Sequence, residues 1–452
     1  MDIQDKNILV VGLARTGVAL CRFLAEHGAK VTVTDQAEAR DLEAYRREIA
    51  GLGISELLGI PYPDTHGFDL ILLSPGVPPE LPWLEAARQA GIPVWGEYEL
   101  ASHFITRPLM AVSGTNGKTT TTTLVGELLR ASGIKALVGG NIGTPLISLL
   151  ARQDAADWLV AEVSSFQLDT APSFHPQAAA LLNLTPDHLD RYADWAAYIA
   201  SKARLFAGQN GRDLRVLNAD DPAMAGMGQG PGRVYYFSTT RVLSQGAWLE
   251  RGALKVRLAE GREEVFPRSG IRLPGRHNLE NVMAALLLTL DAGADPGVCR
   301  EVLADFQGLP HRLEWVADLG GVEFYDDSKG TNVGAVAQSL AFFDQPVILI
   351  AGGRDKDGDF TLLNSAIREH VKALVLLGET RERLAQVWQG QAPAYLAADL
   401  RDAVTQAYRL AQPGEVVLLS PACASFDMFQ DYAHRGRIFQ QIVGELKDAG
   451  KS

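Results

Sequence analysis

Residues 109–129 read LMAVSGTNGKTTTTTLVGELL. An apolar run, Leu109 to Ser113, feeds a glycine-bearing turn and then a segment, Thr119 to Leu129, that can form a helix. That strand–turn–helix context is what a phosphate-binding loop requires. The general pattern G-x-x-x-x-G-K-[ST], aligned on Gly117-Lys118-Thr119, asks for a glycine at position 112, where this chain has valine, so the turn's first glycine is Gly114. Gly114, Thr115, Asn116 and Gly117 can turn backbone N–H groups toward an anion, and Lys118 adds a point charge. Thr119, followed by Thr120, can ligate magnesium. The competing reading is a chance Gly-Lys-Thr at a helix start, and the flanking strand and helix count against it.

Outward from this loop, runs rich in Val, Ile and Leu alternate with helical periods along most of the chain, which reads as α/β with mainly parallel sheets. At 452 residues the chain exceeds one core. Three domains are expected: a Rossmann-like domain over 1–97, a central P-loop domain over 98–308, and a Rossmann-like domain over 309–452. The short alternating segments of 233–267 predict a small antiparallel appendage on the central parallel sheet.

The chain carries 42 Lys and Arg against 54 Asp and Glu, a net charge of -12, which argues against a nucleic-acid surface. The start, MDIQDKNILVVG, runs directly into a strand-like segment rather than a secretory signal, and no apolar run approaches the length that spans a bilayer. Cys21, Cys299 and Cys423 are too scattered for a metal cluster or disulfide framework. A cytoplasmic monomer with small-molecule substrates, no nucleic acid and no membrane insertion is the expectation.

Other constellations sit where apolar runs end. WLVAEVSSFQL ends a strand near Glu162, and a carboxylate there can meet a magnesium ion held by the phosphate loop. On spacing alone a solvated acidic residue is an equal alternative. NLTPDHLDRY sets His188 among Asp187, Asp190 and Arg191, although a lone histidine is more often a hydrogen-bonding group than a ligand. PGRHNLENVMAALLL puts Asn278 and Asn281 on one helical face; a capping role covers Asn278 but not Asn281, inside an apolar run. DDSKGTN, GGRDKDGDF and SPACASFDMF each follow an apolar strand, and Lys329, Lys356 and Ser425 recur in them, which reads as a site for a small anionic substrate at a sheet's carboxyl edge. Arg312, in GLPHRLEWV, lies at the junction of the second and third domains, placed to reach a γ-phosphate when they close.

At the amino terminus, ILVVGLARTG followed by KVTVTD, ending at Asp35, approaches a dinucleotide fingerprint. Ala14 replaces the glycine that lets backbone approach a pyrophosphate, which disfavours a nicotinamide enzyme but not the fold. Arg15 is placed to contact phosphate directly.

SGTNGKTTTT resembles the [ST]-G-T-N-G-K-[ST] loop of the ATP-dependent Mur ligases, relatives of folylpolyglutamate synthase, and this accounts for the missing glycine. The resemblance covers nearly the whole chain. EVSSFQL is similar to the family's metal-binding glutamate strand, NLTPDHLDRY to N-x-[ST]-x-D-H-x-D-R-[YH], HNLENVMAA to H-N-x-x-N-x-x-A-A, and PHR to the hinge. It implies ATP binding by Gly114, Thr115, Asn116, Gly117, Lys118, Thr119 and Thr120, with Asn278 and Asn281 facing adenine and Arg312 and Asp327 also contacting the nucleotide. It further implies two magnesium ions, ligated by Thr119, Glu162, His188 and Lys202, the lysine as a carbamate formed with carbon dioxide.

GLxxTG, SPGVPP and DSKxTN look most like the members that add D-glutamate to UDP-N-acetylmuramoyl-L-alanine. That likeness implies UDP-substrate contacts at Arg15, Thr16, Asp35, Gly76, Asn141, Ser164 and Gln167. It implies amino-acid contacts at Thr331, Lys356, Ser425, Phe426 and Tyr432. Departures are Gln36 and Ala37, where some members carry a phosphate-contacting residue, and Tyr432, where some have phenylalanine. The DNPR motif of the diaminopimelate-adding or lysine-adding enzymes is absent.

The implied chemistry is amide formation through an acyl phosphate in peptidoglycan precursor synthesis, with Lys118, His188, Lys202, Arg312 and Lys329 as the catalytic set. Because water destroys an acyl phosphate, closure of the third domain on ligand binding is expected. The rivals are a sibling amide ligase with another amino acid, a non-catalytic nucleotide binder and, weakest, a dehydrogenase.

Overall fold

The structure is a computed structural model that describes residues 1–61, 63–187, 191–259, 263–273, 275–355 and 358–449. Among the described residues, the apolar runs form three separate sheets. The first contains β1 (Asn7–Val11), β2 (Lys30–Asp35), β3 (Ser55–Leu58), β4 (Leu70–Leu73) and β5 (Val94–Gly96), all parallel, in the order β3-β2-β1-β4-β5. The order reverses between β1 and β4, and a crevice opens at the carboxyl ends beside such a reversal. The chain leaves β1 through Gly12 and enters the helix Arg15–Glu26 at once. A Cβ on Gly17 would lie 2.0 Å from the Gly12 carbonyl oxygen, so only glycine lets helix and strand approach this closely.

The second sheet contains β6 (Leu109–Ser113), β7 (Ala136–Gly140), β8 (Trp158–Glu162), β9 (Ala178–Leu181), β10 (Leu214–Asn218), β11 (Arg233–Ser238), β12 (Gly246–Glu250), β13 (Ala253–Arg257) and β14 (Glu263–Pro267). Its order is β14-β13-β12-β11-β10-β9-β6-β8-β7. The strands from β7 to β12 run parallel, and β12, β13 and β14 pair antiparallel. The antiparallel appendage is therefore the end of one continuous sheet. β6 and β9 are buried throughout and read as unbroken apolar or small-residue runs, as parallel strands do, and β8 is apolar up to the buried Glu162.

The third sheet contains β15 (Glu314–Leu319), β16 (Val322–Asp326), β17 (Val347–Gly352), β18 (Val371–Leu377), β19 (Ala394–Leu396) and β20 (Val416–Leu419), in the order β15-β16-β20-β17-β18-β19. All pairs are parallel except β15 with β16. Side chains alternate between its two cores: Val347, Leu349 and Ala351 enter one, Ile348 and Ile350 the other.

The chain divides into two compact units. One, Met1–Leu184 with Ala196–Ile271 and Glu280–Asp305, holds the first two sheets; the other, Thr185–Trp195 with Arg272–Leu279 and Phe306–Ser452, holds the third. Among the described residues, no helix is long and apolar enough to cross a membrane.

Candidate active site

The phosphate loop lies in the first unit between β6 and the helix Lys118–Ala131. Val112, where the general pattern has glycine, is a fully buried strand residue paired with β8 and β9, so the turn begins only at Gly114. Gly117 caps the helix in the left-handed region at φ 82, and a Cβ there would lie 2.2 Å from Asn281 Oδ1. Asn281, 3% exposed, is thereby placed directly against the loop. The loop is also clamped from β9's exit: Asn183 O accepts from Thr115 N at 2.9 Å, and its side-chain oxygen accepts from Asn116 N at 2.8 Å. The Asn183 amide in turn donates to Asn116 O at 3.1 Å. Lys118 Nζ folds over the turn and donates to Gly114 O and Thr115 O at 2.8 and 2.7 Å. Thr119 is half-buried in the first helical turn and Thr120 is buried.

Glu162 ends β8 at 2% exposure. Its Oε1 accepts from Asn141 Nδ2 at 2.8 Å, whereas its Oε2 is buried with no hydrogen-bond partner. A buried carboxylate oxygen left unpaired is costly, and a metal ligand position would satisfy it. Asn141 also accepts, through its carbonyl, from Arg15 Nη2 at 3.3 Å, which links the first sheet's helix to this carboxylate. Lys202 is 2% exposed and donates to Gly114 O at 2.9 Å and Ser113 Oγ at 3.3 Å. A buried amine aimed at the phosphate loop is no ordinary surface cation. Tyr198, one turn earlier, has its hydroxyl 3.1 Å from Thr115 Oγ1.

At the strand-order reversal of the first sheet lies a cavity of about 210 Å³, lined by Gly12, Thr34, Asp35, Gly76 and Trp83 among others. Asp35 holds its wall: Oδ2 accepts from Leu13 N at 2.7 Å and Oδ1 from Ala37 N at 2.9 Å. The Trp83 indole N–H is buried without a hydrogen-bond partner. Arg15 is exposed and Thr16 half-buried in the following helical turn. Ser164 and Gln167 cap the helix Ser165–Asp169 reciprocally, which gives both residues a structural use.

In the second unit, β16, β20 and β17 are neighbours, so the three loops expected to form a site leave one sheet edge together. Lys329 Nζ lies 4.2 Å over the Tyr432 ring, and Thr331 N donates to Lys329 O at 2.8 Å. Arg354 and Ala424 exchange backbone hydrogen bonds of 2.9 Å, pinning the β17 loop to the β20 loop beside Ser425, which is 2% exposed. Phe426 is exposed. The Asp327 carboxylate accepts from Ser339 Oγ at 2.7 Å and Ser420 Oγ at 2.6 Å, and burial pushes its pKa up to about 6. Arg312 sits between His311 and Leu313, which have φ of 63 and 50.

His188 and Lys356 lie outside the described residues. Asn278, 8% exposed, precedes Asn281 by three residues on the helix Arg276–Asp291. The structure thus gathers Lys118, Thr119, Glu162, Lys202, Asn141 and Asn281 in one unit, and Lys329, Thr331, Ser425 and Tyr432 in the other. Sequence reasoning missed Asn183, Tyr198, Trp83 and Arg435. Arg435, 2% exposed, donates to Ser328 Oγ and O at 2.9 and 2.8 Å and to Cys423 O, so one buried guanidinium joins the segments that follow β16 and β20; burial lowers its pKa to about 10. Asn183 opens the NLTPDHLDRY segment, and that position was a signal available in the sequence.

A family model described as Mur ligase MurD-like, N-terminal domain matches residues 6–96. The Mur ligase middle domain matches 112–289, and the Mur ligase, glutamate ligase domain matches 311–423. A protein of Geotalea uraniireducens (strain Rf4) named UDP-N-acetylmuramoylalanine–D-glutamate ligase is 48% identical over 452 residues, covering 99% of this chain and 99% of its own. A pseudomurein peptide ligase type C from Methanothermus fervidus shares the fold with a TM-score of 0.63 at 16% identity, over 98% of this chain and 100% of that one. The MurF ligase of Thermotoga maritima, solved in complex with ADP, does so with a TM-score of 0.60 at 15% identity, over 98% and 96%. With three domain models matching in succession and a full-length relative near half identical, this chain belongs to the Mur ligase family.

Proposed function

We propose that this chain is the ATP-dependent ligase that joins D-glutamate to UDP-N-acetylmuramoyl-L-alanine in peptidoglycan precursor synthesis. The observation that carries this reading is the 48% identity, end to end, with a relative named for that reaction. The chain acts as a monomer in the cytoplasm, where its substrates are small molecules, and its three functional regions correspond to 1–97, 98–308 and 309–452.

In the first step the alanyl carboxylate attacks the γ-phosphate, breaking the bond to ADP and forming an acyl phosphate. Phosphoryl transfer needs positioning and charge stabilisation more than covalent help from the protein. The loop from Gly114 to Thr120 supplies N–H groups, Lys118 and Arg312 supply charge, and Asn278 and Asn281 hold the adenine side of ATP with Asp327. Magnesium bound beside this loop would offset negative charge on the transferring group. Glu162 Oε2, Thr119, His188 and a carbamylated Lys202 would hold it, with Asn141 orienting Glu162 through Oε1.

In the second step the amino group of D-glutamate attacks the acyl carbon, loses a proton and expels phosphate. Lys329, Thr331, Lys356, Ser425, Phe426 and Tyr432 hold the amino acid. The cavity beside Asp35 and Gly76 takes the uridine, and Trp83 offers it an unused donor. Arg15, Thr16, Ser164 and Gln167 complete the grip on the UDP substrate.

Magnesium-dependent phosphate release is measured with UDP-N-acetylmuramoyl-L-alanine and, separately, D-glutamate, L-glutamate, L-alanine or glycine. Release with D-glutamate alone is expected, and release with another amino acid overturns the substrate assignment. A carbamate at Lys202 is tested by carbon-13 NMR after equilibration with labelled bicarbonate. A signal lost in Lys202→Ala is expected, and no signal in the native chain refutes it.

A further inference from the structure

We propose that His311, Asp326 and Gln440 form a brace that fixes the arginine-bearing turn against the loop carrying Lys329, making these three positioning residues for phosphoryl transfer. The inference rests on the reading of Arg312 as a γ-phosphate contact. His311 and Leu313, on either side of Arg312, both occupy the left-handed region at φ 63 and 50, which non-glycine residues rarely adopt and which surrounding contacts must hold.

Those contacts converge from three elements. His311 is 7% exposed, and its Nδ1 lies 2.6 Å from Asp326 Oδ2 at the end of β16, a residue with no exposure at all. The His311 N–H donates to Glu314 Oε2 at 2.7 Å. From the helix Tyr432–Ala449, the Gln440 amide bridges both acids, donating to Asp326 Oδ2 at 2.9 Å and Glu314 Oε2 at 3.0 Å. That helix carries glycine where the ring passes: a Cβ on Gly436 would lie 2.2 Å from His311 Nδ1.

The brace reaches the substrate loop directly. Lys329 N donates to His311 O at 3.0 Å, and Ser328 N to Asp326 Oδ1 at 2.9 Å. Leu313 N donates to Asp327 Oδ1 at 3.3 Å, so both flanks of Arg312 are tied to the segment after β16. The charged groups facing the imidazole are Asp326 from β16, Glu314 from β15 and Arg437 from the helix. The hydrogen bond to Asp326 leads in raising the histidine's pKa, so the ring is held as an imidazolium to higher pH than usual. A displaced arginine side chain costs rate rather than binding when it acts on the transferring group.

The test compares the native chain with Asp326→Asn, His311→Gln and Gln440→Leu. It reads kcat and the KM for ATP from pH 6 to 9, the thermal midpoint, and deuterium exchange at the Leu313 and Lys329 amides. In Asp326→Asn and His311→Gln, kcat is expected to fall about 10- to 100-fold with the KM for ATP unchanged. In Asp326→Asn the alkaline limb of the kcat profile moves to lower pH, because the imidazolium has lost its carboxylate. Exchange at both amides accelerates in Asp326→Asn and Gln440→Leu.

Native kcat and native exchange in these variants overturn the brace. So does a pH-independent loss that merely follows a falling thermal midpoint. If the native chain releases no phosphate with D-glutamate, the functional reading fails on its own. The exchange rates then decide the brace separately: accelerated exchange supports it and native rates refute it.

Discussion

Glu97 is 2% exposed, with Oε1 accepting from Ile147 N at 2.9 Å and Oε2 buried without a hydrogen-bond partner. Burial pushes its pKa up to about 7, against partial relief from the backbone N–H groups of Ile147 and Leu146 and the charge of Arg15. The folded chain therefore keeps a proton that the unfolded chain has lost, from the ordinary carboxyl range up to about pH 7. Bound protons in excess in the folded state make stability fall as pH rises through that window, by at most about 3 kcal/mol, and level off above it. In Glu97→Gln the titratable group is gone while an oxygen remains for Ile147. Its drop in thermal midpoint between pH 5 and pH 8 is expected to be smaller than the native one; equal drops would show that Glu97 does not titrate in the window.

At the scale of elements, the phosphate loop works because a strand, a turn and a helix meet with side chains from distant segments packed on them. Gly117→Ala introduces a left-handed alanine, at a cost of about 1–2 kcal/mol, and drives a methyl group into Asn281. Loss of ATP binding larger than loss of thermal stability is the expected outcome, read by nucleotide titration beside thermal unfolding; a native affinity would dissociate Asn281 from the loop. The strand–turn–helix itself was legible in the sequence, because its signals are contiguous. β1, β2, β4 and β5 were also legible, whereas β3 at the sheet edge is short and partly exposed and carries no alternation to mark it. β7, with two glycines among five residues, and β19, exposed throughout, escaped for similar reasons. Asn183 clamps Asn116 across 67 positions of sequence, and no local pattern reports a contact of that range. The burial of Lys202 against Gly114 O, 88 positions away, is likewise a long-range contact that its local segment does not report.

For the whole molecule, the residues proposed to act on the phosphoryl group are divided between two compact units, the first with Lys118 and Lys202, the second with Arg312 and Lys329. The proposed intermediate is water-sensitive, and chemistry of that kind calls for closure that excludes solvent when ligands bind. Small-angle scattering is expected to show a smaller radius of gyration with a non-hydrolysable ATP analogue and UDP-N-acetylmuramoyl-L-alanine together than with neither. Identical profiles would rule out ligand-driven closure. The central chemical claim, attack of the substrate carboxylate on the γ-phosphate, is tested most directly by labelling that carboxylate with oxygen-18. With D-glutamate, ATP and magnesium present, each phosphate released is expected to carry one labelled oxygen. Phosphate released in step with amide formation but free of label would contradict it.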